Sequence, residues 1–309
     1  DLAGVRKKKA SPAAIYLMNN VDMFGQGQDG KYNIHPNFKR SAYESADDNN
    51  FSPFSSIAYL EGNNNCIYSL SLSTVGTNSY NSAFILSGGD NHTHQNIRFN
   101  NCCTVVPHVT ITNNDGAKED KSYGATFINS VEGSNYKMDN VHITYSKVFA
   151  IQKTGVLAGR ILGTGGATVN NCSVDNCYVE NYECKDNLET FTEGPVTAQF
   201  YSYGEIGGLI GFVMYEVTIT GCSVSNTEVH AYGQDDKIPN IFGITIPSWL
   251  GIAKIQGRNV NEFIGDIRCL NSLKIEIKNC QVSNNTCSAR NDIYKKSNKT
   301  YPILASMQS

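Results

Sequence analysis

Apolar residues two apart, bracketed by asparagine or glycine, recur through the middle of this chain. The fullest instance is Gly207-Gly208-Leu209-Ile210-Gly211 followed by Val217-Thr218-Ile219-Thr220-Gly221-Cys222-Ser223-Val224-Ser225-Asn226. The same order returns in Gly155-Val156-Leu157-Ala158-Gly159 and Ala167-Thr168-Val169-Asn170-Asn171-Cys172-Ser173-Val174. Aligned without gaps on Cys222, six copies have the anchors Leu70, Cys102, Val141, Cys172, Cys222 and Cys280. Three residues earlier stand Ile67, Phe99, Met138, Val169, Ile219 and Ile277, and two residues later Leu72, Thr104, Ile143, Val174, Val224 and Val282. A fourth column, seven residues after the anchor, reads Thr77, Val109, Val148, Val179, Val229 and Cys287.

Between the apolar columns the residue before the anchor is Ser69, Asn101, Asn140, Asn171, Gly221 or Asn279. Asparagine and glycine tolerate left-handed backbone angles, so this position reads as a bend. Apolar positions two apart between bends describe strands that turn one face inward. One copy cannot bury that face alone, so the copies must stack as a coiled parallel sheet. Anchor spacings of 32, 39, 31, 50 and 58 residues predict loops of unequal size leaving the bends.

The resulting division is a basic arm over 1–12, an N-terminal cap with the first strands over 13–53, repeats over 54–290 and a tail over 291–309. Insertions fall at 183–204 and 232–260, and both leave after the same column, which predicts that they emerge on one side. The first carries Phe191, Phe200, Tyr201 and Tyr203, which either stack on sugar rings or pack against the second. The second holds Phe242 and the single tryptophan, Trp249, in an apolar run that must be covered by the flank of the repeats or by another molecule. The arm, with Arg6, Lys7, Lys8 and Lys9, is either a solvated tail or a segment that docks on a neighbour. After Arg290 no polar cap is evident, and a bare last copy would leave strand edges open to another chain.

The glycine-spaced step followed by Val217-Thr218-Ile219-Thr220-Gly221-Cys222-Ser223-Val224 resembles the GLUG-type repeat of bacterial surface proteins, and 155–179 is a second good match. Copies at 84–109, 127–148 and 263–287 are degenerate. The resemblance implies an all-β, right-handed parallel β-helix, a pectate-lyase-like solenoid of about six irregular turns with long loop insertions. It also implies a place among adhesin-like extracellular proteins, and it supplies no catalytic residues.

Composition narrows the choice. A net charge of −3 and a pI near 6.1 argue against nucleic acid as the main partner, and no apolar run is long enough to span a membrane. The chain opens at Asp1 with neither a methionine nor a signal-peptide core, which reads as a processed protein or a portion of one. Sequons at Asn50, Asn91, Asn171, Asn284 and Asn298 are candidate glycosylation sites.

Ten cysteines divide by column: Cys102, Cys172, Cys222, Cys280 and Cys287 read as small inward hydrophobes and free thiols. Cys103 and Cys177 read as outward, and Cys66, Cys184 and Cys269 as lying in or near loops, so any disulfide is expected among these rather than among the inward thiols. No zinc spacing is present. Gly25-Gln26-Gly27-Gln28-Asp29-Gly30 matches GxGxxG by letter but lacks the strand and helix a dinucleotide needs. Asp90, His92 and His94 would share a face if extended, against a default of a solvated loop, and Asp235-Asp236 also read as loop. No cofactor is implied.

Enzymes on parallel β-helices that act on acidic glycans need acids clustered on one exposed face. Here the outward positions are mostly Ser, Thr, Asn and Lys, and His108, His142 and His230 fall at unrelated offsets. The expectation is a non-enzymatic extracellular protein of structure or adhesion, a filament or surface-layer subunit. Its partners would be copies of itself or host and matrix glycans and proteins. The alternative is a glycan-binding or polysaccharide-cleaving β-helix of lyase, hydrolase or tailspike type.

Overall fold

The computed structural model describes residues 13–23, 53–73, 81–106, 110–112, 118–120, 123–150, 153–162, 165–181, 187–193, 196–202, 205–231, 260–261, 263–268 and 275–289. All regular structure among them is β, and no helix there is long and apolar enough to cross a membrane. Sheet I holds Phe54–Ser56, Ile85–Gly88, Ile128–Val131, Ala158–Ile161, Ile210–Met214 and Ile264–Arg268. Sheet II is the long one, twelve strands from Ala14–Tyr16 to Gln281–Ser283. Sheet III holds Ser71–Ser73, Cys103–Val105, Lys147–Ala150, Tyr178–Asn181, Glu228–Ala231 and Thr286–Ala289. Sheet IV consists of short pairs, Asn81–Ser82, Tyr123–Gly124, Thr154–Gly155, Ile206–Gly207 and Val260–Asn261.

The chain visits these sheets in the order I, II, III, IV and begins again, and within each sheet successive visits lie side by side in parallel. Side chains of one column therefore stack on one another. One such column is Val21, Ile67, Phe99, Ile143, Val174, Val224 and Val282. Its central members from Ile67 to Val224 are at most 1% exposed and belong to a single apolar cluster reaching from Ile15 to Ile264.

The register corrects the gapless alignment. Asn140 stands level with Asn96, Asn171 and Gly221, so the column of Val141, Cys172, Cys222 and Cys280 continues into Ile97, not into Cys102 and Leu70. Leu70 and Cys102 stack instead with Ser146, Cys177 and Thr227, five residues further along each later copy. Each pass contains two successive five-residue units, as in Asn171-Cys172-Ser173-Val174-Asp175 and Asn176-Cys177-Tyr178-Val179-Glu180. A shift by one unit keeps apolar residues in apolar columns, so the pattern alone accepts either register. Thr77 and Val109 lie outside the described residues.

The glycines of the opening motif work at the corner between sheets IV and I. A Cβ on Gly211 would lie 2.4 Å from the Thr154 backbone nitrogen, and one on Gly155 would lie 2.3 Å from the Ala158 carbonyl. Backbone meets backbone there, and no side chain fits. Insertions gather at a different corner, between sheets III and IV. Antiparallel hairpins Thr110–Thr112 with Lys118–Asp120, and Asn187–Glu193 with Val196–Ser202, both fall there. The span between Glu228–Ala231 and Val260–Asn261 occupies the same place in the order.

Candidate functional site

The long sheet bends twice in each pass, and both bends are lined by residues with positive φ. The first bend column is Asn64, Asn96, Asn140, Asn171, Gly221 and Asn279, and the second is Ser69, Asn101, Tyr145, Asn176, Asn226 and Asn284. Their φ values run from 49° to 65°, the left-handed region that asparagine and glycine enter at least cost. Amide side chains then couple passes: the Asn140 amide nitrogen donates to Asn64 at 3.0 Å and to Asn96 at 2.9 Å. Further along, Asn171 donates to Asp139 at 3.3 Å and Asn284 to Asn226 at 3.4 Å.

The kink also displaces the next backbone N–H from the regular ladder, and a buried N–H needs a partner. At Cys102, Cys177 and Cys172 the side chain one pass later supplies it. The Cys102 nitrogen donates to Ser146 Oγ at 3.0 Å, the Cys177 nitrogen to Thr227 Oγ1 at 3.3 Å, and the Cys172 nitrogen to Cys222 Sγ at 3.4 Å. Those same side chains donate back to the carbonyl two residues earlier, Ser146 to Thr144, Thr227 to Ser225 and Cys222 to Thr220. Where a cysteine, serine or threonine follows the bend, its small side chain both accepts and donates, so these cysteines are hydrogen-bonding members of the core and not merely small hydrophobes; Leu70, Ile97 and Val141 hold the same place in other passes by packing alone.

Cys66, Cys102, Cys103, Cys172, Cys177, Cys222 and Cys280 are free thiols. Two placements change: Cys177 lies inside the apolar cluster and Cys103 is 4% exposed, where both read as outward. Cys66 is buried in the strand Cys66–Tyr68, just after a turn. Burial pushes the thiols of Cys102, Cys103 and Cys177 up to about 12, so they stay protonated and poorly nucleophilic at neutral pH. Cys184 and Cys269 lie outside the described residues, and of Cys287 only the backbone pairing with Val229 is described.

The histidine stretch is not a solvated loop throughout. A bend at Asn91 turns His92 back to accept from the Gly89 nitrogen at 3.0 Å, while Asp90 accepts from the Ser134 nitrogen at 2.6 Å. His94 enters the core, fully buried, between the Tyr136 hydroxyl and the Ile57 carbonyl, each at 2.7 Å. Burial lowers its pKa to about 4 and keeps it neutral. The three residues therefore do not converge, and no group of three or more His, Cys, Asp or Glu that could hold a metal occurs among the described residues.

Outward, the long sheet presents rows such as Thr93, Lys137, Thr168, Thr218 and Glu276, or Asn100, Thr144, Asp175, Ser225 and Ser283. Partial burial would raise the Asp175 carboxyl, but donors from Ser225, Asn226 and Asn176 outweigh it and hold the group below the usual carboxylate value. Glu61 is held down in the same way: burial is outweighed by donors from Gln95, the Asn63 backbone and Asn96. These carboxylates are fixed anions in a lattice of hydroxyls and amides. A recess of about 350 Å³ opens over the first of these rows, lined by Tyr136, Lys137, Thr168, Glu216, Thr218 and Glu276. Within it Glu276 already accepts from Lys278 at 2.8 Å.

Among the sequons, Asn91, Asn171 and Asn284 are exposed, yet the amide nitrogens of Asn171 and Asn284 donate within the bend ladders; Asn50 and Asn298 lie outside the described residues. Register sets Phe191 opposite Ala198, Phe200 opposite Glu189 and Tyr201 opposite Leu188. Tyr203, Phe242, Trp249, Asp235, Asp236, the GxGxxG stretch and the arm residues Arg6, Lys7, Lys8 and Lys9 lie outside the described residues. One feature had no sequence signal. Lys153 is 2% exposed, with its ammonium 5.0 Å from the Phe212 ring centre and 5.3 Å from that of Tyr123. A lysine before Thr154-Gly155 reads as surface, and only stacking against the neighbouring passes buries it.

No protein-family model, curated protein or solved structure matches this chain.

Proposed function

We propose that the chain is a right-handed parallel β-helix of the adhesin-like, GLUG-repeat kind, serving outside the cell as a structural or adhesive element and not as an enzyme. The observation that carries this reading is the state of the outward polar groups on the long sheet. Asp175, Glu61 and Asp139 each accept from neighbouring amides or hydroxyls, and the bend asparagines donate to one another. Groups bound in this way stiffen a surface, whereas acid–base catalysis needs a carboxyl poised to gain or lose a proton near neutrality. The unchanging order of sheet visits, with insertions gathered at one corner, supports a rod that displays loops.

Adhesion of beads coated with the protein to matrix glycans and matrix proteins tests the reading, run beside an assay for reducing or unsaturated ends from acidic polysaccharides. Binding without release is expected. Release of sugar ends would overturn the non-enzymatic reading, and absence of any binding would remove the adhesive one.

The recess beside Lys137, Glu216 and Thr168 favours a second reading, a glycan-binding groove on the long sheet. Glu216→Gln with Lys137→Ala would then weaken binding of a soluble glycan at least about tenfold, since groups fixing a ligand's orientation are few. Unchanged binding would place the contact elsewhere.

A further inference from the structure

Among the described residues, the two outermost levels of the long sheet carry the same columns. At one side lie Ala14–Tyr16 and Val21–Asp22, which pair only with Tyr59–Glu61 and Cys66–Tyr68 among the described residues. At the other lie Ile275–Lys278 and Gln281–Ser283, which pair there only with Val217–Thr220 and Ser223–Ser225. Following the register through every intervening strand puts Ile15 in the column of Ile277 and Val21 in the column of Val282. It also puts Tyr16 in the row of Lys278 and Asp22 in the row of Ser283.

The last described level is less buried than the one beside it. Ile275, Ile277, Cys280 and Val282 are half-buried, whereas Val217, Ile219, Cys222 and Val224 one level below are 0 to 1% exposed. Val21 and Met23 at the first level are likewise only partly buried. We propose that the level at 275–283 takes the level at 14–22 of a second copy as its next pass, so that copies join head to tail through the long sheet. This deepens the structural reading and rests on it, by naming the partner and the surface.

Each pairing it creates already has a precedent inside the chain. Ile277 would cover Ile15 as Ile219 covers Val169, and Val282 would cover Val21 as Val224 covers Val174. Ser283 would face Asp22 in the row where the Ser225 hydroxyl donates to Asp175 at 2.6 Å. The spacing from Ile15 to Val21 is one residue longer than from Ile277 to Val282, and the adjoining level, with Leu60 and Ile67, already accommodates two extra residues over His94 and Phe99. Open edges invite strand addition. Because the two surfaces differ, the contact is heterologous and leaves a free surface of each kind after every addition, which gives open chains.

Sedimentation velocity over a range of concentrations tests this on the full chain. Wild type should form chains that lengthen with concentration. Ser283→Asp sets like charges opposite each other across the junction and should weaken association at least about tenfold, and adding Asp22→Lys should restore it. Both positions are exposed, so folding is left intact, as far-UV circular dichroism would verify. Val282→Lys and Val21→Lys block one surface each; mixed together they should give a two-chain species and nothing longer. Monomers at every concentration, or closed dimers that survive either block, would overturn the proposal. A monomer that still adheres to matrix would do so without harming the structural reading, whereas sugar release would sink that reading whatever the assembly state.

Discussion

Replacing Thr227 by valine separates the two roles available to the residue after a bend. Thr227 is fully buried; its hydroxyl accepts from the Cys177 nitrogen at 3.3 Å and donates to the Ser225 carbonyl at 2.9 Å. Valine fills nearly the same space with no polar atom. The Ser225 carbonyl keeps the Asn176 nitrogen at 3.1 Å, so the group left without a partner is the Cys177 N–H. A buried orphan of this kind costs about 1–3 kcal/mol. Exchanging hydroxyl for methyl returns up to about 0.8 kcal/mol of apolar burial. The net expectation is a loss of about 1–2 kcal/mol, read as a lower midpoint in guanidinium unfolding with unchanged slope. Thr227→Ser keeps the hydroxyl and loses one methyl, a cost of about 0.8 kcal/mol or less after relaxation. The order is therefore wild type, serine, valine. Amide exchange at Cys177 should also quicken in the valine variant alone. If valine is as stable as wild type and serine is the weaker variant, the position is packing only and the hydrogen-bond account of the post-bend residues is wrong.

Further outcomes follow from the same geometry. His94, held neutral with a pKa of about 4 against 6.5 in a free chain, gives stability that is complete above 6.5 and lost as pH falls toward 4. The full loss amounts to about 3 kcal/mol, and His94→Gln should flatten unfolding midpoints between those pH values; an unaltered slope would refute the assignment. Gly211→Ala should cost several kcal/mol or abolish folding, because its Cβ would meet the Thr154 backbone nitrogen at 2.4 Å, whereas Gly166→Ala, with nothing within 4 Å, should cost only about 1–2 kcal/mol for its positive φ. Comparable thermal midpoints for the two would contradict the corner argument. Asn140→Gly keeps the left-handed bend and loses the ladder to Asn64 and Asn96, so it should cost about 1 kcal/mol, and Asn140→Ala should cost about 1–2 kcal/mol more; equal melting temperatures would mean that backbone angle is not what selects asparagine.

Local chemistry was legible in the chain itself. Apolar residues two apart mark strands whatever surrounds them, and the asparagines and glycines before Cys172, Cys222 and Cys280 mark left-handed bends because few other residues enter that region cheaply. Those signals carried the all-β class and the parallel stacking of the strands. Register was not legible. The units beginning at Asn171 and Asn176 are nearly the same five residues, so each satisfies the apolar pattern in either column, and only lateral pairing with neighbouring passes chooses between them. The same holds for side chains whose role depends on a partner dozens of residues away. Cys222 looks like a small hydrophobe until the Cys172 N–H is placed against its sulfur, and His94 looks solvated until Ile57 and Tyr136 close around it. The sequence by itself determined where strands run and where they bend, since both are local; tertiary structure alone decided which strand lies over which, and therefore which polar atoms are buried with a partner.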